Sequence, residues 1–321
     1  MALTLSVIIP SHNRPDLLRT CLASLACHAP PGTEILVVDD GSPGGSVSRA
    51  AADFPAVHCL RRPQQGGFCA AVNEGLRHAR HPIAQLLNDD AEVTPGWADA
   101  PLAHFADPQV AAVAPLVLQR RGGEADGPPV IDSAGDRYYL GGVAAKRGHG
   151  QPLGPDHLRP GPVFGASASS AFYRRELVLR VGAFPDSFSA YFEDVDLSFR
   201  LQRAGGRILF EPASRVLHRV SASYGPPCRR LLAQQSRNEE LVFWRNLPAR
   251  DLTRALPLHL AVLAGKAWRR ARQGQLIPFL AGRLAALAAW PDILAHRRRL
   301  TALGPERPAR HWYVEGAFWR A

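Results

Sequence analysis

The sequence predicts an α/β fold with a mostly parallel central sheet flanked by helices, followed by a basic helical C-terminal appendage. Three observations carry this expectation. Short apolar runs alternate with helix-length amphipathic stretches through the first hundred residues. Polar clusters recur where the apolar runs end. The excess of basic charge is confined to residues 229–321.

Leu5 to Ile9 reads as a strand ended by Pro10, and residues 15–29 have helical spacing through Leu17, Leu18, Cys21, Leu22 and Leu25. Glu34 to Val38 is a second strand, running into Asp39-Asp40-Gly41-Ser42. A helix over 46–54, a strand over 57–60, a helix over 67–79 and a strand over 83–87 follow, the last ending in Asn88-Asp89-Asp90. Continuous apolar strands separated by helices are the pattern of a parallel sheet covered on both faces. Ligands of such sheets sit beyond the carboxyl ends of the strands, where these polar clusters fall.

Residues 120–162, rich in Gly, Pro and charge, read as a long loop with little regular structure. Order returns at Val163 with a small-residue strand and a helix from Arg174. Glu193-Asp194 opens another helix, with apolar Val195, Leu197, Phe199 and Leu201, an Asp196–Arg200 pair at i,i+4, and a stop at Gly205-Gly206. Ile208 to Phe210 resumes as a strand, Pro212 breaks it, and Arg215 to His218 is extended again.

A chain of 321 residues at 46% hydrophobic content supports one large domain, assigned to residues 1–228, and an appendage over 229–321. The first part holds 21 Lys and Arg against 22 Asp and Glu, and the second holds 17 against 6. Five cysteines without a CxxC spacing argue against a disulfide framework or a zinc cluster and fit a reducing cytoplasm. The start MALTLSVIIP has no basic region preceding its apolar run, so no signal peptide is expected. No run of 18 apolar residues indicates a spanning helix.

The strand-end clusters carry the chemistry. Asn88-Asp89-Asp90 offers hard oxygen ligands, one carboxylate for Mg²⁺ or Mn²⁺ and the other for a ribose. Asp39-Asp40-Gly41-Ser42 is either an Asx-type turn or a carboxylate that accepts the imide N–H of uracil or thymine. Gly66-Gly67 and Asn73-Glu74-Gly75 put glycines around a helix start, which suits a phosphate or nucleoside but lacks the P-loop and dinucleotide spacings. At Glu193-Asp194 a helix dipole accounts for one acid but not for two.

Taken together, VIIPSHNR, VVDDGS, QGGFCAAVNEG, LLNDDAEVTPGW, GASASSAFYRRE, VGAFPDSFSAYFEDVDLSFR and the late His218 resemble an inverting family 2 glycosyltransferase of the GT-A fold, over about residues 4–224. The chain is most similar to the rhamnosyltransferase-like and galactofuranosyltransferase-like branch. The resemblance implies a nucleotide-diphosphate sugar donor, dTDP- or UDP-linked, a divalent Mn²⁺ or Mg²⁺, and a glycan or lipid-linked acceptor. It implies Asp194 as catalytic base, and Asp90 and His218 as metal ligands. Asp40 would contact the base, Pro10, His12 and Arg14 would line the nucleoside pocket, Asp89 would lie near the ribose, and Gly67 and Asn73 would complete the donor site. Departures are Asn88 where some relatives have a third aspartate, Gln65 where Asn is frequent, and Pro185-Asp186 in place of the commoner Asp-Glu.

Other readings fit less well. A sugar nucleotidyltransferase wants a glycine-rich basic loop after the first strand, and SHNRPDLL supplies only Arg14. A non-catalytic binding protein would not need Asp89, Asp90, Asp194 and His218 together. The C-terminal arginines are interleaved with apolar stretches rather than exposed aromatics, so no nucleic-acid partner is expected. The same interleaving fits helices on an anionic membrane surface, with the protein peripheral on the inner face of the cytoplasmic membrane, or else helices that pack back on the catalytic domain.

Overall fold

The computed structural model describes residues 4–120, 128–219 and 228–305, and the backbone of 314–315. The first half alternates β1 (Leu5–Ser11), α1 (Pro15–His28), β2 (Glu34–Asp39), α2 (Ser46–Ala52), β3 (Val57–Arg61), α3 (Phe68–His78), β4 (Ile83–Leu86), β5 (Ala91–Val93), α4 (Asp99–His104) and β6 (Val110–Gln119). Short strands β7 (Ile131–Ser133), β8 (Asp136–Tyr139), β9 (Val143–Lys146) and β10 (Gly161–Pro162) follow. Then come β11 (Phe172–Arg174), α5 (Arg175–Arg180), α6 (Glu193–Arg203) and β12 (Arg207–His218). The chain continues through α7 (Arg229–Asn246), α8 (Ala249–Arg272), α9 (Leu276–Ala288) and α10 (Trp290–Leu303) to β13 (Val314–Glu315).

The central sheet runs β10-β12-β6-β11-β4-β1-β2-β3, with β5 added to β12 and β7 to β6. β4, β1, β2 and β3 are parallel, and β11 joins β4 to β6 by antiparallel pairings. β1 is buried along its whole length because helices cover both faces, and its Val7, Ile8 and Ile9 pack without exposure. α1 starts on Pro15, whose missing N–H costs nothing in the first turn, and buries Leu18, Cys21, Leu22 and Leu25 along one stripe.

Two expectations need correction. The stretch 120–162 is not a structureless loop: β8 and β9 form a hairpin, β13 adds to β8, and β7 pairs with β6. These strands are three or four residues long and lie between glycines, which hides their period; residues 121–127 lie outside the described residues. Nor does Pro212 end a strand. β12 runs unbroken beside β6, and the register shifts between Glu211 and Arg215, so the proline sits in a bulge where no ladder donor is needed.

α7 packs on α6 and α9, and α10 reaches both α6 and α7. Gly282 permits the close approach of α9, since a Cβ there would lie 2.2 Å from the Ala233 carbonyl oxygen. The contact with α6 is electrostatic. Asp196, fully buried, accepts from Arg200 Nε at 2.8 Å and from Asn246 Nδ2 at 2.8 Å, and lies 3.1 Å from Arg245 Nε. Burial alone would raise its pKa, but Arg245 and Arg200 outweigh burial and hold the carboxyl well below the usual range. Asp196→Ala is therefore expected to destabilise the protein by about 3–5 kcal/mol, because two buried guanidinium groups lose their counter-charge. Urea denaturation checks this, and a near-wild-type midpoint would contradict it.

Candidate active site

Parallel pairing of β1, β2 and β4 sets their carboxyl ends side by side. Asp39 turns inward and accepts from the backbone N–H groups of Ser42 and Ser48, which fixes the turn. Asp40 faces a cavity of about 480 Å³ that is also lined by Pro10, His12, Arg14, Gly67 and Phe68. Its carboxylate caps the next loop, accepting from Gly66 N–H at 2.9 Å, Gly67 N–H at 2.8 Å and Arg62 Nη1 at 2.5 Å. Gly67 has φ +88°, a conformation that favours glycine at the start of α3. His12 Nδ1 lies 2.9 Å from the Asp40 carbonyl oxygen. Of the sequence-predicted donor residues, Pro10, His12, Arg14, Asp40 and Gly67 thus converge on the cavity, whereas Asp89 is fully buried behind Arg14 and Asn73 also lies off its wall. The Asn73 amide is buried between the Phe184 backbone and Asp186, outside the residues that line the cavity.

Beneath this cavity lies a line of charge. Arg14 Nη2 is 2.5 Å from Asp89 Oδ1, and its Nη1 is 3.3 Å from Asp90 Oδ2. Ser11 Oγ donates to Asp89 at 2.6 Å. Burial pushes the Asp89 carboxyl up to about 6 despite Arg14 and Ser11, with neighbouring Asp90 adding to the rise. Antiparallel pairing of β5 with β12 sets His218 opposite Ala91, so the imidazole arrives next to Asp90. His218 Nε2 is 3.1 Å from Asp90 Oδ1, and its Nδ1 is 3.0 Å from Asp132 Oδ2. Burial favours the neutral ring, but the bonds to Asp132 and Asp90 prevail and raise its pKa to about 9.

Asp90 and His218 fit a divalent cation. Two adjacent ligands of an octahedral ion at ~2.1 Å stand about 3 Å apart, which matches this pair, and both are donors that such ions accept. Among the described residues no group of three or more His, Cys, Asp or Glu side chains converges as a metal site, so any remaining ligands would come from donor or water.

The second cavity, about 420 Å³, shares Phe68 and Ala190 with the first and holds Asp194, Glu193, Asp136, Lys146 and His218 on its wall. Asp194 stands at the start of α6, accepting from Ala168 N–H at 3.1 Å and Val195 N–H at 2.8 Å. Burial raises its pKa, and those N–H groups moderate the rise. Asp136 is pushed up to about 8, first by burial and then by the charge of Asp194. The approach to Asp194 is tightly wound: Ser189, Tyr191 and Phe192 have φ of 58°, 69° and 67°. α7 secures this turn, with Asn238 Nδ2 donating to the carbonyls of Phe188, Ala190 and Tyr191, and Gln234 Nε2 to those of Phe188 and Ala190.

The chain is similar to known proteins in sequence and in fold. The family model for glycosyl transferase family 2 matches residues 6–182. The chain belongs to that family. A second model, glycosyl transferase family group 2, matches residues 129–287 of this family 2 glycosyltransferase. It is 33% identical to the pre-mycofactocin glycosyltransferase of Mycobacterium tuberculosis over 66% of the chain, and spans 42% of that relative's length. It is 28% identical to the N-acetylglucosaminyl-diphospho-decaprenol L-rhamnosyltransferase of the same species, over 85% of the chain and 96% of the relative. The fold matches the mannosyltransferase PcManGT from Pyrobaculum calidifontis, solved with GDP-Man and Mn²⁺, with a TM-score of 0.57 and 20% identity, over 98% of this chain and 84% of that one. The family 2 glycosyltransferase thus has the expected GT-A fold.

Asp132, Asp136 and Lys146 escaped the sequence reading because they lie on the short strands taken for loop. Asp132 is fully buried, and it accepts from Lys146 Nζ at 3.0 Å as well as from His218. Asp132→Asn is expected to return the His218 pKa toward the ordinary imidazole range, since the largest influence raising it is removed. An NMR titration of the metal-free protein reads this directly, and an unshifted His218 curve would contradict it.

Proposed function

We propose that this family 2 glycosyltransferase is an inverting, metal-dependent enzyme that transfers a sugar from a nucleotide diphosphate to a hydroxyl of a cell-envelope glycan or lipid-linked acceptor. The observation that carries the proposal is the abutment of two cavities through Phe68 and Ala190, one lined by Asp40 and Arg14 and the other by Asp194 and His218. The nucleoside lies in the first, against Pro10 and His12, and the sugar crosses into the second. Similarity to the rhamnosyltransferase favours rhamnose from a dTDP- or UDP-linked donor.

Asp90 and His218 would hold a divalent cation, Mn²⁺ or Mg²⁺, which when bound would supply charge neutralisation for the leaving diphosphate. Arg14, already paired with both aspartates, adds a fixed positive charge on the same side. Asp132 orients the His218 ring through Nδ1 and leaves Nε2 toward Asp90. Asp194 receives the proton of the acceptor hydroxyl as that oxygen attacks the anomeric carbon from the face opposite the diphosphate, which inverts the configuration. Burial and the charge of Asp194 raise the Asp136 pKa, so the two carboxyls do not readily ionise together, and the proposed base is the member on α6, Asp194. Tyr191 and Phe192 wall the cavity and limit access of water.

The C-terminal helices support attachment to the inner face of the cytoplasmic membrane. Among the described residues, nine of the ten large exposed hydrophobics lie on α8 to α10, including Trp268, Ile277 and Leu284. No single described helix is long and apolar enough to span a membrane, although α9 and α10 together, bent by 59°, pass that test.

Asp194→Asn is expected to retain donor binding and to lose transfer by about 10²–10⁴-fold, the usual worth of a positioned base. In the wild type the rate should fall as pH drops through the raised carboxyl pKa of Asp194, because the base must be ionised. Its acid limb therefore lies above the ordinary aspartate range. Single-turnover assays across pH check both outcomes, and turnover near wild type in the variant would remove Asp194 from the role.

A further inference from the structure

α8 and α9 enclose a third cavity that the reaction above does not use. It measures about 280 Å³ and is lined by Lys266, Arg269 and Arg270 of α8, by Arg283 of α9 and, on the side of α7, by residues that include the carboxylate of Glu239. Lys266 and Arg283 share Glu239 of α7, and Arg283 also reaches Glu240 at 2.5 Å. Among the described residues, no carboxylate lies within ion-pair distance of Arg269 or Arg270. Among the described residues, the Arg270 guanidinium bonds to the side chains of Gln273 and Gln275. Four basic side chains line the cavity against the one carboxylate of Glu239; burial and the like charge of Arg269 lower the Arg270 pKa, while Glu239 raises it. Such a cavity favours an anion with several acceptor oxygens.

Its neighbours define the kind of anion. Tyr191 and Phe192 line both this cavity and the one that holds Asp194. Glu239, Lys266 and Arg269 are shared on another side with a cavity of about 580 Å³ whose remaining wall is largely apolar, with Leu258, Ala261 and Val262. Ala144 lines both this apolar cavity and the catalytic one. A carboxylate base, a basic cavity and an apolar cavity therefore stand in mutual contact. None of the residues assigned to the donor lines the basic cavity.

We propose that the cavity between α8 and α9 binds the phosphate or diphosphate of a lipid-linked acceptor, with the lipid chain against Leu258 and Val262 and the terminal sugar directed past Tyr191 and Phe192 to Asp194. The inference rests on the transferase reading above and specifies its acceptor: an amphiphile with a phosphate between sugar and chain. Arg269 and Arg270 discriminate for the phosphate, and the apolar cavity discriminates for the chain.

Titration calorimetry with the full chain tests this, using farnesyl diphosphate, farnesol and inorganic diphosphate as probes and a nucleotide sugar as a separate control. Farnesyl diphosphate should bind at least about tenfold more tightly than either farnesol or inorganic diphosphate. Arg269→Ala and Arg270→Ala should each weaken it by about tenfold, the worth of a charge-assisted hydrogen bond, and leave nucleotide-sugar binding unchanged. Unchanged affinity in both arginine variants would overturn the proposal. Inorganic diphosphate binding as tightly as farnesyl diphosphate would also overturn it, since the site would then serve a free anion. So would the absence of farnesyl diphosphate binding in protein that still takes a nucleotide sugar. Failure of the nucleotide-sugar control would instead count against the transferase reading.

Discussion

The antiparallel pairing of β5 with β12 is the constraint on which the site depends. β5 follows directly from the Asn88-Asp89-Asp90 cluster, and β12 ends at His218. Their register pairs His218 with Ala91, the residue immediately after Asp90, and the Arg219 N–H closes the pair by donating to the Asp90 carbonyl at 3.0 Å. Two segments more than a hundred residues apart in sequence thereby bring together Asp90 and His218, the proposed pair of ligands. The bulge at Pro212 matters for the same reason: a one-residue change of register would turn His218 to the opposite face of the sheet.

Environment then assigns different work to chemically identical groups. Asp194 and Asp196 stand two residues apart on α6. Asp196 points into α7 and α10, meets two arginines and an asparagine, and is held ionised as a structural anchor. Asp194 points the other way, into a cavity, where its carboxylate accepts from the backbone N–H groups of Ala168 and Val195 and burial raises its pKa, as the proposed base requires. Anchoring α6 through Asp196 and clamping the turn before it through Asn238 both hold Asp194 in place. The helices after residue 228 are thus in direct contact with α6 as well as carrying the exposed apolar surface.

Much of this was legible in the sequence because strand ends of a parallel sheet expose whatever polar residues follow an apolar run. Asp40, Asp89 and Asp90 stood out on that ground, and Glu193-Asp194 stood out because a helix dipole explains one acid but not two. Asp132 did not, since its strand is three residues long and its partner His218 is far away in sequence. The helical stretches of 229–321 were also legible, but not the face each one packs. Gln234 and Asn238 look like ordinary solvated positions until the carbonyls of Phe188, Ala190 and Tyr191 are seen to need donors. Nothing in a local pattern announces that need.

The central claim is that the chain binds a nucleotide sugar with the help of a divalent cation at Asp90 and His218. A thermal-shift panel of UDP-, dTDP- and GDP-sugars, each with and without Mn²⁺, tests it most directly. Ligand at 100 times its Kd adds roughly 2.7 kcal/mol to stability, a readily visible shift. The account predicts stabilisation by a uracil or thymine nucleotide sugar that appears only with the cation. A folded protein that none of these ligands stabilises, or one stabilised equally without Mn²⁺, would contradict it.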